Sequence, residues 1–249
     1  MRSADPLART EHRPYPLPAR RWILFQRWHE LLFAHWPLDP DRVRALVPAG
    51  LTLDTFEGEA WVGVVPFRMS GVRLRGAPAL PGLSAFPELN VRTYVRHGEK
   101  RGVWFFSLDA ASRLAVRAAR AWFHLPYFDA RMACVERSGE IHYRSLRTHR
   151  GAPAAELVGR YAPSAPVELA RPGTLEHFLT ERYCLFAAGP RGQLFRGDIH
   201  HLPWPLQRAQ ADFETNSMAQ ASGIPLPATA PTLHFARVLD VLIWTPRRV

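Results

Sequence analysis

Residues 86–109 read FPELNVRTYVRHGEKRGVWFFSLD, and the fold is decided there. Leu89, Val91, Thr93 and Val95 alternate with Glu88, Asn90, Arg92 and Tyr94. After a turn at His97-Gly98-Glu99-Lys100, Trp104, Phe106 and Leu108 alternate with Val103, Phe105 and Ser107. Period-two alternation places successive side chains on opposite faces of a strand. A short loop containing Gly joins two such runs as a hairpin. The first strand therefore carries a carboxylate, an amide and a guanidinium on one face, at Glu88, Asn90 and Arg92. On a solvent face these are ordinary outward residues. In a polar interior they converge on a ligand.

Working outward, Arg27–Trp36, Leu51–Phe56 and Ala60–Met69 read as strands, and Pro66 marks an edge or a bulge. Asp39 and Pro40 cap and open a short helix. The Pro/Gly-rich stretch 76–87 reads as a covering loop. Asp109 is placed to cap the helical segment DAASRLAVRAARAWF, which Pro126 ends. Residues 130–136 and 140–147 form a second hairpin around Ser138-Gly139. Thr174 caps another short helix. Residues 182–187 and 193–200 are strands, Leu206–Phe213 reads as helical, and Leu233–Trp244 is the last strand. Roughly ten strands joined by short loops predict an α+β, mainly β chain. The strand number points to a closed antiparallel β-barrel with a few flanking short helices. Residues 1–20 read as a flexible arm and 21–249 as one domain.

Composition narrows the function class. The chain has 249 residues, 47% hydrophobic and 22% charged, which suits a full core. Net charge is +10, carried almost wholly by arginine, since Lys100 is the only lysine. The arginines are dispersed, and no zinc-finger spacing or helix-turn-helix accompanies them, so nucleic acid is not the expected partner. No apolar run is long enough to cross a membrane. The polar start lacks the apolar region of a secretory signal, which predicts a cytoplasmic protein. Cys134 and Cys184 sit in apolar contexts and read as buried thiols.

His29-Glu30-Leu31-Leu32-Phe33 opens like a metalloprotease signature, but Phe33 stands where the second zinc-binding His belongs. No His pair has metal-ligand spacing, and no metal is expected. His200 and His201 face opposite sides of a strand, leaving His201 as the pocket candidate, with His35 and His124 behind it. Ser107 and Ser145 lack a neighbouring base and read as structural.

These runs resemble the YqjF-like bacterial proteins, an uncharacterised domain family. The likeness is carried by residues 86–95, 102–110 and 125–127, and by 35–36, 60–67, 179–183 and 201–206. It spans about residues 25–245. The family is similar in fold to acetoacetate decarboxylase, which implies a closed barrel with an interior pocket and Glu88 at the position of a family glutamate. The decarboxylase works through a Schiff-base lysine. Here Tyr127 and Phe128 stand at the lysine positions, so imine chemistry is not expected, and lyase-like chemistry of another kind is the enzymatic candidate. The reading is a small-molecule barrel for an anionic or carbonyl-containing ligand. Glu88 is its acid/base group, and Asn90, Arg92, Tyr94, Tyr127 and His201 bind the ligand. No cofactor is implied. The alternative is a non-enzymatic scaffold or protein-interaction barrel, its interior filled by aromatic side chains.

Overall fold

The computed structural model describes residues 6–249. The chain is mainly β, with few helices. Its first half runs β1 (Leu24–Leu38), α1 (Pro40–Arg44), β2 (Thr52–Leu53), β3 (Ala60–Leu74), β4 (Phe86–His97), β5 (Lys100–Ala110) and α2 (Arg113–Phe123). Then come β6 (Tyr127–Arg137), β7 (Glu140–Arg147), β8 (Glu156–Pro163), β9 (Glu168–Leu169) and α3 (Leu175–Thr180). The last part is β10 (Cys184–Ala188), β11 (Leu194–His200), β12 (Pro205–Asn216), β13 (Thr232–Ile243) and β14 (Arg247–Arg248).

Five antiparallel strands, in the order β13-β1-β3-β4-β5, make a central wall. Two branches leave it at β5. The first is β10, parallel to β5 at Val103–Trp104, followed by β11. The second is β6, parallel to β5 at Leu108–Ala110, followed by β7, β8 and β12. Both branches rejoin at β13, β11 through Ile199 and His200 and β12 through Gln207 and Arg208.

The wall is consequently buried on both faces. Leu31, Phe33, Val65 and Phe67 belong to one apolar cluster, with Leu185 and Ile199 of the first branch. Leu32, Ala34, Val64, Leu89 and Val91 belong to the other, with Tyr143, Leu157 and Tyr161 of the second branch. Alternate residues of the same strands thus feed opposite cores, as period two requires.

Pro66 lies inside the wall rather than at an edge, and the bulge that accompanies it is in its neighbour. Between His29/Arg68 and Ala34/Val64, β1 carries one residue more than β3. Proline has no N–H for the ladder, and the extra residue absorbs the break. Glu30 sits in that bulge with φ 46°, a left-handed conformation unusual for a non-glycine residue. Its carboxylate is bound by Arg68, and its carbonyl accepts from the Tyr161 hydroxyl at 2.7 Å.

Several sequence expectations are corrected. Residues 206–213 are not helical but lie in β12, held by pairing to β8. Between residues 51 and 56, only Thr52–Leu53 is a strand. Asp109 caps nothing: it belongs to β5, while Ser112 accepts from the Ala115 N–H and opens α2. Cys184 is buried, but Cys134 is only half-buried, and both are free thiols. The hairpin 86–109, the turn at Ser138-Gly139 and the caps at Asp39 and Thr174 are as read. Residues 1–5 of the expected arm lie outside the described residues. The remainder runs along β11, where Arg13 donates to the Ile199 carbonyl at 2.9 Å and the Arg20 carbonyl accepts from the Trp244 indole at 2.6 Å.

Candidate ligand site

Glu88, Asn90 and Arg92 lie in one row on β4, with about 7 Å between neighbours along the strand. They face the cluster of the first branch, and all three are buried, at 4%, 5% and 9% exposure. They line a cavity of about 370 Å³. The polar face of the quoted stretch is therefore an interior face.

Each polar side chain is held differently. Tyr127, at the start of β6, donates its hydroxyl to Glu88 Oε2 at 2.8 Å. Burial pushes the Glu88 carboxyl up to about 8; the Tyr127 hydrogen bond pulls it back in part, and the nearby Asp109 charge adds to the rise. At neutral pH Glu88 is mostly a neutral acid, with Oε2 accepting from Tyr127. Asp109 is itself held by a buried two-pronged pair, with Arg147 Nε and Nη2 each 2.7 Å from its oxygens.

Arg92 Nη2 donates to the Leu179 carbonyl at 3.1 Å and to the Tyr94 hydroxyl at 3.3 Å. Both partners are neutral, and among the described residues Arg92 forms no ion pair. Its Nε, like Asn90 Oδ1 and Trp204 Nε1, is buried without a partner. A second cavity-lining guanidinium contrasts with it. Arg182 Nη1 meets Asp54 Oδ2 at 2.6 Å, and Nε donates to the Phe178 carbonyl at 2.6 Å.

Tyr94 continues the row but does not line the cavity. Its hydroxyl donates to the Leu179 carbonyl at 2.8 Å and lies 2.6 Å from His35 Nε2. It therefore supports Arg92 from behind, and His35 supports Tyr94. His201 does line the cavity, but its ring nitrogens face the carbonyls of Leu202 at 2.8 Å and Arg182 at 3.2 Å. Burial lowers its pKa, and the Glu181 charge and the two carbonyls oppose that shift. His124 ends α2 in a left-handed conformation, and Ser107 and Ser145 are fully buried away from the cavity.

The rest of the lining is mainly apolar, with Gln26 and Thr180 as further polar residues. Trp28, Phe67, Leu185 and Ile243 belong to it, and α2 covers the cavity with Ala115, Ala118 and Ala119. Trp122 and Leu74 stand at its mouth, 48% and 49% exposed. From the stretch 76–87 only Phe86 lines the cavity, so α2, not that loop, is the cover. Lys100 is not in the lining: its Nζ lies 3.4 Å from the Tyr15 ring centroid. Among the described residues no three His, Cys, Asp or Glu side chains gather as a metal-ligand set, and no helix is long and apolar enough to cross a membrane.

Arg182, Trp204 and the α2 alanines were not singled out from sequence. Arg182 and Trp204 fall within the runs 179–183 and 201–206, which carried the family resemblance. The alanines carried no signal, since a small helical face reads equally well as core packing.

Comparison with known proteins agrees with this architecture. The chain is 44% identical over 240 residues to the uncharacterized protein YqjF of Bacillus subtilis (strain 168), covering 96% of this chain and 98% of that one. Acetoacetate decarboxylase from Legionella pneumophila is similar in structure, with a TM-score of 0.62 at 15% identity over 94% and 93% of the two chains. So is the enduracididine biosynthesis enzyme MppR, complexed with the condensation product of pyruvate and imidazole 4-carboxaldehyde, with a TM-score of 0.61 at 12% identity over 90% and 88%. At such identities the likeness is one of fold. The family model for DUF2071, an uncharacterized conserved protein, matches residues 25–240, and the chain belongs to that family.

Proposed function

We propose that the cavity binds an anionic or carbonyl-containing small molecule. The observation that carries this reading is the buried row Glu88-Asn90-Arg92 opening into a cavity of about 370 Å³. We infer that the two branches rejoining the wall close the sheet as a barrel that is mainly antiparallel, its joins at β5 being parallel, with the cavity as its interior. Such a space, apolar with a few convergent polar groups, is the common form of a ligand site. It favours a ligand over a scaffold whose interior is filled.

In this reading Arg92 holds the anion, Asn90 adds a hydrogen bond, and Tyr94 and His35 fix the guanidinium. Glu88, neutral and braced by Tyr127, donates to a carbonyl oxygen. The chemistry in reach is proton transfer to a carbonyl or enolate oxygen, a step that a lyase acting beside a carbonyl requires. It runs through no imine, because the lysine lies outside the cavity lining. Structural relatives that handle acetoacetate or pyruvate adducts support the ligand class and no more than that.

The test is a thermal-shift screen of the purified protein against keto acids, hydroxy acids, aldehydes and aliphatic carboxylates. A ligand at 100 times its dissociation constant adds about 2.7 kcal/mol, a rise of roughly 5–10 °C for a domain of this size. The reading expects such a hit and its loss in Glu88→Gln or Arg92→Met. A flat screen refutes it.

A further inference from the structure

We propose that the ligand is an amphipathic monoanion: a carboxylate head held at Arg92, with an apolar body lying along the wall under α2. This rests on the reading of the cavity as a ligand site and narrows it to one chemical class.

The charge of the head follows from what the lining leaves uncompensated. Among the described residues, the charged or acidic side chains facing the cavity are Glu88, Arg92 and Arg182. Arg182 is neutralised by Asp54. Glu88 is a neutral acid at pH 7. Arg92 alone faces the space with a full charge and only neutral partners. A buried, unpaired charge is unfavourable until a counter-charge arrives. One unit of positive charge calls for one negative charge, and a dianion such as a phosphate monoester would leave an excess.

The body follows from the rest of the surface. Most of the polar groups lie on the β4 row and beside it, with Gln26 on β1 as a further one. Beyond them, Trp28, Phe67, Val103, Leu185 and Ile243 offer no hydrogen-bonding atom except the Trp28 indole, which is already bonded to Gln26 at 2.8 Å. A pyruvate-sized anion at Arg92 would leave this wall uncovered. The three alanines of α2 leave room there that larger side chains would fill. The half-exposed Trp122 and Leu74 give that end an apolar doorway.

The experiment uses the full chain and follows intrinsic tryptophan fluorescence at pH 7, because Trp28, Trp122 and Trp204 line the cavity. Acetate, pyruvate, octanoate and 1-octanol are titrated. Each buried methylene contributes roughly a fourfold gain in affinity, so octanoate is expected to bind at least about 100-fold more tightly than acetate or pyruvate. It is also expected to exceed 1-octanol at least about tenfold through its charge-assisted bonds to Arg92. In Arg92→Met the octanoate advantage over octanol disappears. Ala119→Phe, on a short surface helix where folding is least at risk, lowers the octanoate-to-acetate ratio at least about tenfold by filling the apolar end. If pyruvate binds as tightly as octanoate, the apolar body is wrong while the ligand-site reading stands. Octanol matching octanoate would remove the anion. No binding by any of the four, with a flat thermal-shift screen, overturns both readings.

Discussion

Replacing Glu88 by Gln isolates the neutral acid on which the site reading depends. Glutamine keeps the shape, accepts from the Tyr127 hydroxyl through its amide oxygen, and cannot ionise. Burial holds the Glu88 carboxyl at about 8 against an ordinary value of 4.5. A raised pKa means that the folded state holds a proton the unfolded state has released. The stability Glu88 contributes is thus fully present below pH 4.5 and is lost as pH rises through about 8. A glutamine at this position makes no such contribution and suffers no such loss. The stability of the variant relative to wild type should therefore climb by up to about 1.4 kcal/mol per pH unit across this window, roughly 4–5 kcal/mol in all. Urea unfolding of both proteins at half-unit steps from pH 4.5 to 8.5 measures it, since other titrations cancel in the difference. A difference that stays flat would mean that Glu88 is ionised in the folded protein, and the proton-donor role would fall with it.

Asp109→Asn breaks the buried pair with Arg147 and leaves a buried guanidinium uncompensated. A loss of about 3–5 kcal/mol is expected in chemical unfolding, and an unchanged midpoint would refute it. Tyr127→Phe removes the hydrogen bond that lowers the Glu88 pKa, so the ionisation followed by carboxyl infrared absorption should move to higher pH; movement downward would contradict the assigned donor. Gly102→Ala places a Cβ 2.6 Å from the Cys184 carbonyl oxygen, where the parallel β5–β10 pair cannot yield, and should cost about 1–3 kcal/mol of stability. Arg92→Met should stabilise the unliganded protein by about 1–3 kcal/mol, read as a rise in urea midpoint, because an unpaired buried charge is exchanged for an apolar side chain. A fall instead would assign Arg92 to the fold.

The alternation in residues 86–109 was legible because a period of two survives any tertiary context. What it could not disclose was the side on which water lies. Glu88, Asn90 and Arg92 read as solvent-facing or pocket-facing with the same letters, and the choice depends on a branch that begins at Cys184, far along the chain. Asp109 was misread for a related reason. Its position before an alanine-rich helix is a local signal, while Arg147, its actual partner, is brought alongside by the β5–β6 and β6–β7 pairings. In β12, Ala, Gln and Arg favour a helix by propensity, and Leu206, Ala209 and Phe213 also fit helical spacing. Pairing to β8 and β13 overrode both. The α2 cover was visible as a helical segment, but which surface its small face closes is a matter of topology alone.

Burial of a polar atom without a partner does not by itself mark a site. Ser107 Oγ and Ser145 Oγ are as unpartnered as Asn90 Oδ1 and Arg92 Nε. The serines, however, have no cavity beside them, and an unsatisfied neutral hydroxyl is a modest, fixed cost of about 1–3 kcal/mol. Arg92 differs on both counts. Its charge makes the cost larger, and its open side gives a ligand room to remove that cost. The neutral state of Glu88 completes the logic. An ionised Glu88 in the same row would supply a counter-charge within the cavity and weaken the hold on an incoming anion. By keeping its proton, Glu88 leaves the Arg92 charge available and stands ready as a donor in the same space. The wall buried on both faces thus does more than carry the row. It supplies the dry surroundings that raise the pKa of one residue and leave the other uncompensated, and both follow from a single strand that has no solvent face.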